Sequence, residues 1–295
     1  MNVENKTCVL GKFNIKGGFR MYADVDALIR PIPADKELEL HPTKQKLFQL
    51  WEEYGKINYN NWYKLSFFKE IKKTLEGMFV PVGNGGSVLD AGCGPGTMFE
   101  SILNKMWPRT LVGADISNTM LRKAEKTARE LISPHLKVFD IKKIDLTETL
   151  PWEDDEFDAI VSNIVIYYLT DPGWSHAVRE FCRVTKHGGH IYVSTLLEGC
   201  DQTALIKENK WKLETLFGSP FGFINLLWAL RHKKYPAMIN ECAKEAGVRY
   251  PSREGLLSLL KKSGVDEIVT RDIFWGAGIA VKAKMSKIAT NYRLR

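Results

Sequence analysis

Val88-Leu89-Asp90-Ala91-Gly92-Cys93-Gly94-Pro95-Gly96 reads as a buried strand that runs into a glycine-rich turn, and the turn opens a helix. Ser87-Val88-Leu89 is short and apolar. Thr97 to Asn104 then carries Met98, Phe99, Ile102 and Leu103 at the spacing of one helical face. Glycines at 92, 94 and 96 strip the Cβ atoms from one side of the turn, so the chain can adopt φ > 0 and a ligand can lie against the backbone. The spacing separates two ligand classes. A dinucleotide-binding turn reads G-x-G-x-x-G and aims a helix N-terminus at a pyrophosphate, whereas this one reads D-x-G-x-G-x-G, with an acid ahead of the first glycine.

The turn resembles the first motif of the class I S-adenosylmethionine-dependent methyltransferases, D/E-x-G-x-G-x-G after the first strand of the catalytic unit, and it matches at all four fixed positions. The rest of that unit follows. Leu111-Val112-Gly113-Ala114-Asp115 is a second strand ending in an acid 25 residues after Asp90. That offset is close to the roughly 20 residues at which nucleotide-binding α/β folds place a carboxylate on ribose hydroxyls. Ser117 caps the next helix, whose apolar face is Met120, Leu121 and Ala124. Leu136 to Asp140 alternates like a third strand, and Phe157 to Asn163 is a fourth. Beyond it come a helix ending at Arg183-Val184, a Gly188-Gly189 stop and the strand Ile191-Tyr192-Val193. A capped helix over Ser252 to Ser263 and two closing strands at Ile268-Val269 and Ile279-Ala280-Val281 complete the pattern.

The resemblance covers about 87 to 197 and 250 to 285. It implies a doubly wound, mostly parallel seven-stranded sheet with helices on both faces, a Rossmann-like methyltransferase fold. By the same resemblance the methyl donor is held by Asp90, Ala91, Gly92, Cys93, Gly94 and Gly96 in the turn, and by Asp115, Ile116 and Met120 beyond the second strand. Asn163 lines the donor at the exit of the fourth strand. The adenine falls to an acid after the third strand: Asp140 with Ile141 is preferred, and Asp145 is second, because Leu150-Pro151-Trp152-Glu153-Asp154-Asp155-Glu156-Phe157-Asp158 fits the family's L-P-F-x-D-x-x-F-D phrase.

Composition agrees with a globular enzyme: 295 residues, 44% hydrophobic and 26% charged, are ordinary for a chain with a sizeable core. Five cysteines form no C-x-x-C pair and no Cys/His cluster, which argues against a disulfide framework and against a zinc site and suits a reducing cytoplasm. The first residues lack the basic-then-apolar pattern of a signal peptide, and no apolar run approaches 18 residues. Of the net charge of +7, the excess belongs to residues 201 to 295, with 17 Lys and Arg against 9 Asp and Glu. Arg231-His232-Lys233-Lys234-Tyr235 is the best local match to a nucleic-acid surface, but such a run is more often a solvated face.

Two regions lie outside the family core, and additions of this kind choose substrates. Residues 1–83 read as a helical N-terminal cap, with helices over Pro42 to Trp51 and Trp62 to Met78, and with Phe19, Met21 and Tyr22 in a loop ahead of them. Residues 198–249 read as a lid insertion with an apolar stretch from Phe217 to Leu230, too short to span a bilayer but able to roof an acceptor or rest on a membrane surface. Residues 84–197 and 250–285 form the catalytic domain and 286–295 a tail.

Many relatives carry V-L-H-H-L after the fourth strand; here Val165-Ile166-Tyr167-Tyr168-Leu169 puts tyrosine at both histidine positions, which excludes a histidine base there. Candidate acceptor-side residues are Tyr167, Tyr22 and His176, with His41 and His232 behind them; by the resemblance Tyr22 is also the N-terminal aromatic that closes over the donor. The expectation is a cytoplasmic S-adenosylmethionine-dependent methyltransferase, monomeric or homodimeric, without a metal. It moves a methyl group to N or O of a small molecule that is apolar or aromatic in part, or an amine. The alternatives are an RNA or protein methyltransferase using the basic last third, and a non-catalytic subunit that keeps the fold.

Overall fold

In a computed structural model, the described residues are 29–30, 42–56, 66–83, 85–131, 135–170, 172–200, 227, 231 and 234–286. They form one sheet with helices on both sides. The strands are β1 (Ile29–Arg30), β2 (Ser87–Ala91), β3 (Thr110–Asp115), β4 (Val138–Lys143), β5 (Phe157–Asn163), β6 (Thr185–Leu196), β7 (Val265–Ile273) and β8 (Gly278–Met285). The helices are α1 (Pro42–Lys56), α2 (Ser66–Glu76), α3 (Phe99–Met106), α4 (Asn118–Glu130), α5 (Gly173–Val184), α6 (Lys234–Glu245) and α7 (Arg253–Lys262).

Sheet order is β1-β4-β3-β2-β5-β6-β8-β7. All neighbours are parallel except β8, which is antiparallel to both β6 and β7. From β2 the chain winds outward through β3 and β4, then returns to β5 on the other side of β2. That reversal opens a crevice beyond the carboxyl ends of β2 and β5, the place where open α/β sheets bind ligands.

Alternation along the strands divides the core into two layers. Leu89, Ile160 and Ile191 point to α5 and α7, meeting Phe181, Leu256 and Leu260. Val88, Val161 and Tyr192 point to α2, α3 and α4, meeting Leu75, Ile102 and Leu121. Both caps read from the sequence form: Ser117 Oγ accepts from Met120 N at 3.2 Å and Ser252 Oγ from Gly255 N at 3.0 Å.

Two features differ from the sequence expectation. The sheet has an eighth strand, because Ile29 and Arg30 pair in parallel with Phe139 and Asp140 and so cover the outer edge of β4. The N-terminal segment therefore contributes backbone pairing as well as helices. The expected glycine stop at 188–189 does not delay the fifth core strand: β6 begins at Thr185, directly after α5, and absorbs the glycines at a register shift between Phe157 and Ala159 of β5. α1 and α6 form a third packed unit around Leu47, Tyr54, Ile239 and Cys242, tied outside by Lys46 and Glu245 at 2.8 Å. Phe19, Met21, Tyr22, His41, His232 and most of the 217–230 stretch lie outside the described residues. No described helix is long and apolar enough to cross a membrane.

Candidate functional site

The glycine turn stands at the switch point. Gly92 N and Cys93 N donate to Ala114 O at 2.8 and 2.9 Å, fastening the turn to β3. Gly92, Gly94 and Gly96 have φ of +75°, +54° and +81°. They are not equivalent. A Cβ on Gly92 would lie 2.5 Å from the Val165 methyls, and one on Gly96 would lie 2.5 Å from the Phe99 ring, whereas one on Gly94 would meet no described atom within 4 Å. Gly92 and Gly96 serve close packing, and Gly94 opens onto space.

That space is a cleft bounded by three walls. One wall comes from β2 and β3: Gly92, Gly94, Asp115, Ile116, Ser117 and Met120. Asp115 Oδ2 accepts from Gly94 N and Oδ1 from Ser117 N, each at 2.9 Å. Burial raises its carboxyl pKa while those two amides oppose the rise. Asp90, still within β2 ahead of the first glycine, is enclosed; burial first, and then the Asp115 carboxylate, push its pKa up to about 8. Its Oδ2 has no hydrogen-bond partner among the described residues.

A second wall follows β4 and β5. Asp145 and Leu146 line the cleft, as do Asn163 and Ile164 at the β5 exit. The Asn163 side-chain oxygen accepts from Ser194 Oγ at 2.6 Å. Ile164 has φ +58°, a strained conformation for a β-branched residue, and its amide is held by Ser194 O at 2.9 Å and Ser194 Oγ at 3.0 Å. The third wall is α1. Lys44, Leu47, Phe48 and Trp51, at i, i+3, i+4 and i+7, all face the cleft. Opposite Trp51 stands Tyr168, ring centroids 5.0 Å apart and nearly perpendicular. Glu52 anchors this helix to the far wall by accepting from Thr119 N at 3.2 Å.

Of the candidates read from the sequence, Gly92, Gly94, Asp115, Ile116, Met120 and Asn163 line this one cleft, and several others stand apart from it. Ala91, Cys93 and Gly96 are buried in the framework behind the turn and do not line the cleft. Asp140 lies inside β4, paired with Lys142 at 3.1 Å, and Ile141 is in the core. Asp145 stands on the cleft in their place because it lies two residues past the carboxyl end of the strand, where the crevice is. Tyr167 is buried against Tyr250, at 5.3 Å between centroids, and its neighbour Tyr168 lines the cleft instead. The two rings of the short 3₁₀ turn Ile166–Tyr168 pack on each other, 4.0 Å between centroids, so that Tyr168 forms the wall and Tyr167 backs it. His176, on α5, has a buried Nε2 without a hydrogen-bond partner among the described residues and does not line the cleft. The sequence expectation includes this helix as part of the cap but singles out none of its cleft-facing residues. Its signal is present in the Leu47, Phe48 and Trp51 spacing, but such a stripe equally describes a helix packed on a core.

The methyltransferase-domain family model matches residues 88–189, the span from β2 to the glycines of β6. Residues 88–189 are therefore similar to the methyltransferase-domain family, in line with the resemblance read from the glycine turn. Among curated proteins, the chain is 34% identical over 116 residues to a malonyl-[acyl-carrier protein] O-methyltransferase of Pseudescherichia vulneris, covering 38% of this chain and 40% of that protein. It is 32% identical over 119 residues to an uncharacterized methyltransferase of Schizosaccharomyces pombe, covering 38% and 41%. The matches thus span about two fifths of the length of these relatives. Among solved structures, a chain of the complex between the Haloferax volcanii Trm112 methyltransferase activator and a methyltransferase superposes with a TM-score of 0.53 at 15% identity, over 80% of this chain and 97% of that one. That likeness bears on the fold of the methyltransferase domain.

Proposed function

We propose that the chain transfers a methyl group from S-adenosylmethionine to N or O of a small molecule, in the cytoplasm, mainly by holding the two reactants in line. The observation that carries this reading is the Gly94 corner: the glycine with no Cβ obstruction is the one whose amide is bridged by the Asp115 carboxylate at the cleft wall. A ribose laid against Gly94 meets Asp115, which accepts from hydroxyl donors. Asp145 stands on the adjoining wall for the polar edge of the base, and Ile116, Met120 and Leu146 give its faces an apolar seat.

When bound, the donor supplies an electrophilic methyl on a sulfonium that is already a good leaving group. The chain's own residues then position. The strained Ile164 and the Ser194-held Asn163 form a rigid floor at the β5 exit, while Phe48, Trp51 and Tyr168 enclose the opposite side and exclude water. Alignment alone can supply roughly 7–11 kcal/mol of such a barrier. The aromatic wall suits an acceptor that is apolar or aromatic in part, or an amine. The malonyl-[acyl-carrier protein] relatives lend weight to O-methylation, but over two fifths of their length only.

Calorimetric titration with S-adenosylhomocysteine, and in parallel with NADH, tests this. Micromolar binding of the first and none of the second is expected. Binding of NADH alone overturns the donor assignment, and binding of neither overturns it for the isolated chain.

A further inference from the structure

α1 does more than cover the cleft. Lys44 Nζ donates to Thr147 Oγ1 at 2.8 Å and lies 3.5 Å from the exposed Glu148. Thr147 in turn gives both its donors to one atom: its Oγ1 and its backbone N reach Asp145 Oδ1 at 2.7 and 2.8 Å. A hydroxyl has a single proton, so an ammonium donating into the Thr147 oxygen leaves that proton for Asp145. Oδ1 is then saturated. Oδ2 makes no hydrogen bond with any described residue, and Asp145 lines the cleft.

We infer that Lys44 is a positioning residue for donor binding: acting through Thr147, it holds Asp145 with one carboxylate oxygen fixed and the other presented to the ligand. The inference rests on the donor reading above. It makes the N-terminal helix part of the donor site, although that helix lies outside the methyltransferase-domain match. The chain of bonds is directional, since Lys44 has no acceptor and Asp145, when ionised, has no donor; each link sets the next. Thr147 and Asp145 are both buried, so neither is exchanging freely with water.

Lys44→Met keeps an unbranched apolar stem at this position and removes the charge. Its affinity for S-adenosylhomocysteine should fall about tenfold, the scale of one hydrogen bond to a charged group. Thr147→Val should match it, and Lys44→Arg should restore most of the loss. The decisive readout is coupling: in an Asp145→Asn background, Lys44→Met should cause no further loss, because the group it orients is already altered. Melting temperatures without ligand check that each variant is folded, and Glu148→Gln, at the exposed end, should bind as wild type. If wild type binds S-adenosylhomocysteine and Lys44→Met binds equally well, or if its loss adds in full to that of Asp145→Asn, the relay is overturned while the donor reading stands. If wild type itself does not bind, the donor reading falls and the relay with it.

Discussion

The two sides of the cleft are built on opposite principles. The β2–β3 side is local: the turn, the acid that bridges it and the serine that caps α4 lie close together in the chain, and their positions follow from backbone demands such as φ +54° at Gly94. The α1 side is assembled from afar. Lys44 reaches Thr147 across 103 positions, Glu52 reaches Thr119 across 67, and Trp51 meets Tyr168 from another element altogether. A local wall announces itself as a motif. A remote wall is an ordinary amphipathic helix until the fold places it.

The sharpest way to break this contrast is inside the turn. Gly94→Val forces a β-branched residue to positive φ and fills the opening toward the cleft, so S-adenosylhomocysteine binding should fall by more than about 100-fold. Gly96→Ala places a Cβ 2.5 Å from the Phe99 ring and should instead lower the melting temperature, with little change in affinity once folded. Equal effects from the two, in calorimetry and thermal melting, would show that the glycines do not divide into ligand-facing and packing roles.

Behind the same turn, Asp90 links the site to stability. Its pKa rises from 3.8 to about 8 in the folded protein, chiefly through burial and next through the Asp115 charge. Between those pH values the folded state holds a proton that the unfolded chain has released. Stability from this group is therefore complete below about pH 4 and declines as pH rises toward 8, by at most about 1.4 kcal/mol per pH unit. Asp90→Asn should flatten that part of the profile. Denaturant midpoints measured across the range would show an unchanged slope if another group is responsible.

How far the fold and site are legible in the sequence follows from the same physics. The order of strands, both serine caps and the Asp115 position are readable because each depends on short-range periodicity or on a single backbone conformation. Asp140 and Asp145 are not separable by pattern, since a few residues of uncertainty at a strand end decide whether a side chain is in the sheet or beyond it. Tyr167 and Tyr168 are interchangeable on paper because a 3₁₀ turn has neither the helical nor the strand period. Ile164 carries its strain in φ alone, which no residue type reports, and β1 pairs through two residues, too few to show a pattern.

Asp115→Ala removes the acceptor that bridges Gly94 and Ser117 and that would meet ribose hydroxyls. It should cost about 1–3 kcal/mol of donor binding, the penalty for leaving buried donors unpaired. Isothermal titration reads it directly, and wild-type affinity would move the ribose away from this wall.

The smallest expected effect is also the one that most directly compares the two tyrosines. Tyr168→Ala opens the aromatic side of the cleft by removing the ring that meets Trp51 edge-on. An aromatic contact of this kind is worth about 0.5–1.5 kcal/mol beyond its area, so acceptor KM should rise several-fold while S-adenosylhomocysteine affinity stays close to wild type. Tyr167→Phe keeps the ring that packs between Tyr168 and Tyr250, and should alter neither quantity. The two variants differ by one position in the chain, but only the Tyr168 ring lines the cleft. Should Tyr167→Phe raise the acceptor KM and Tyr168→Ala not, the acceptor would have to enter from the Tyr250 side, and α1 would be a roof over the donor alone.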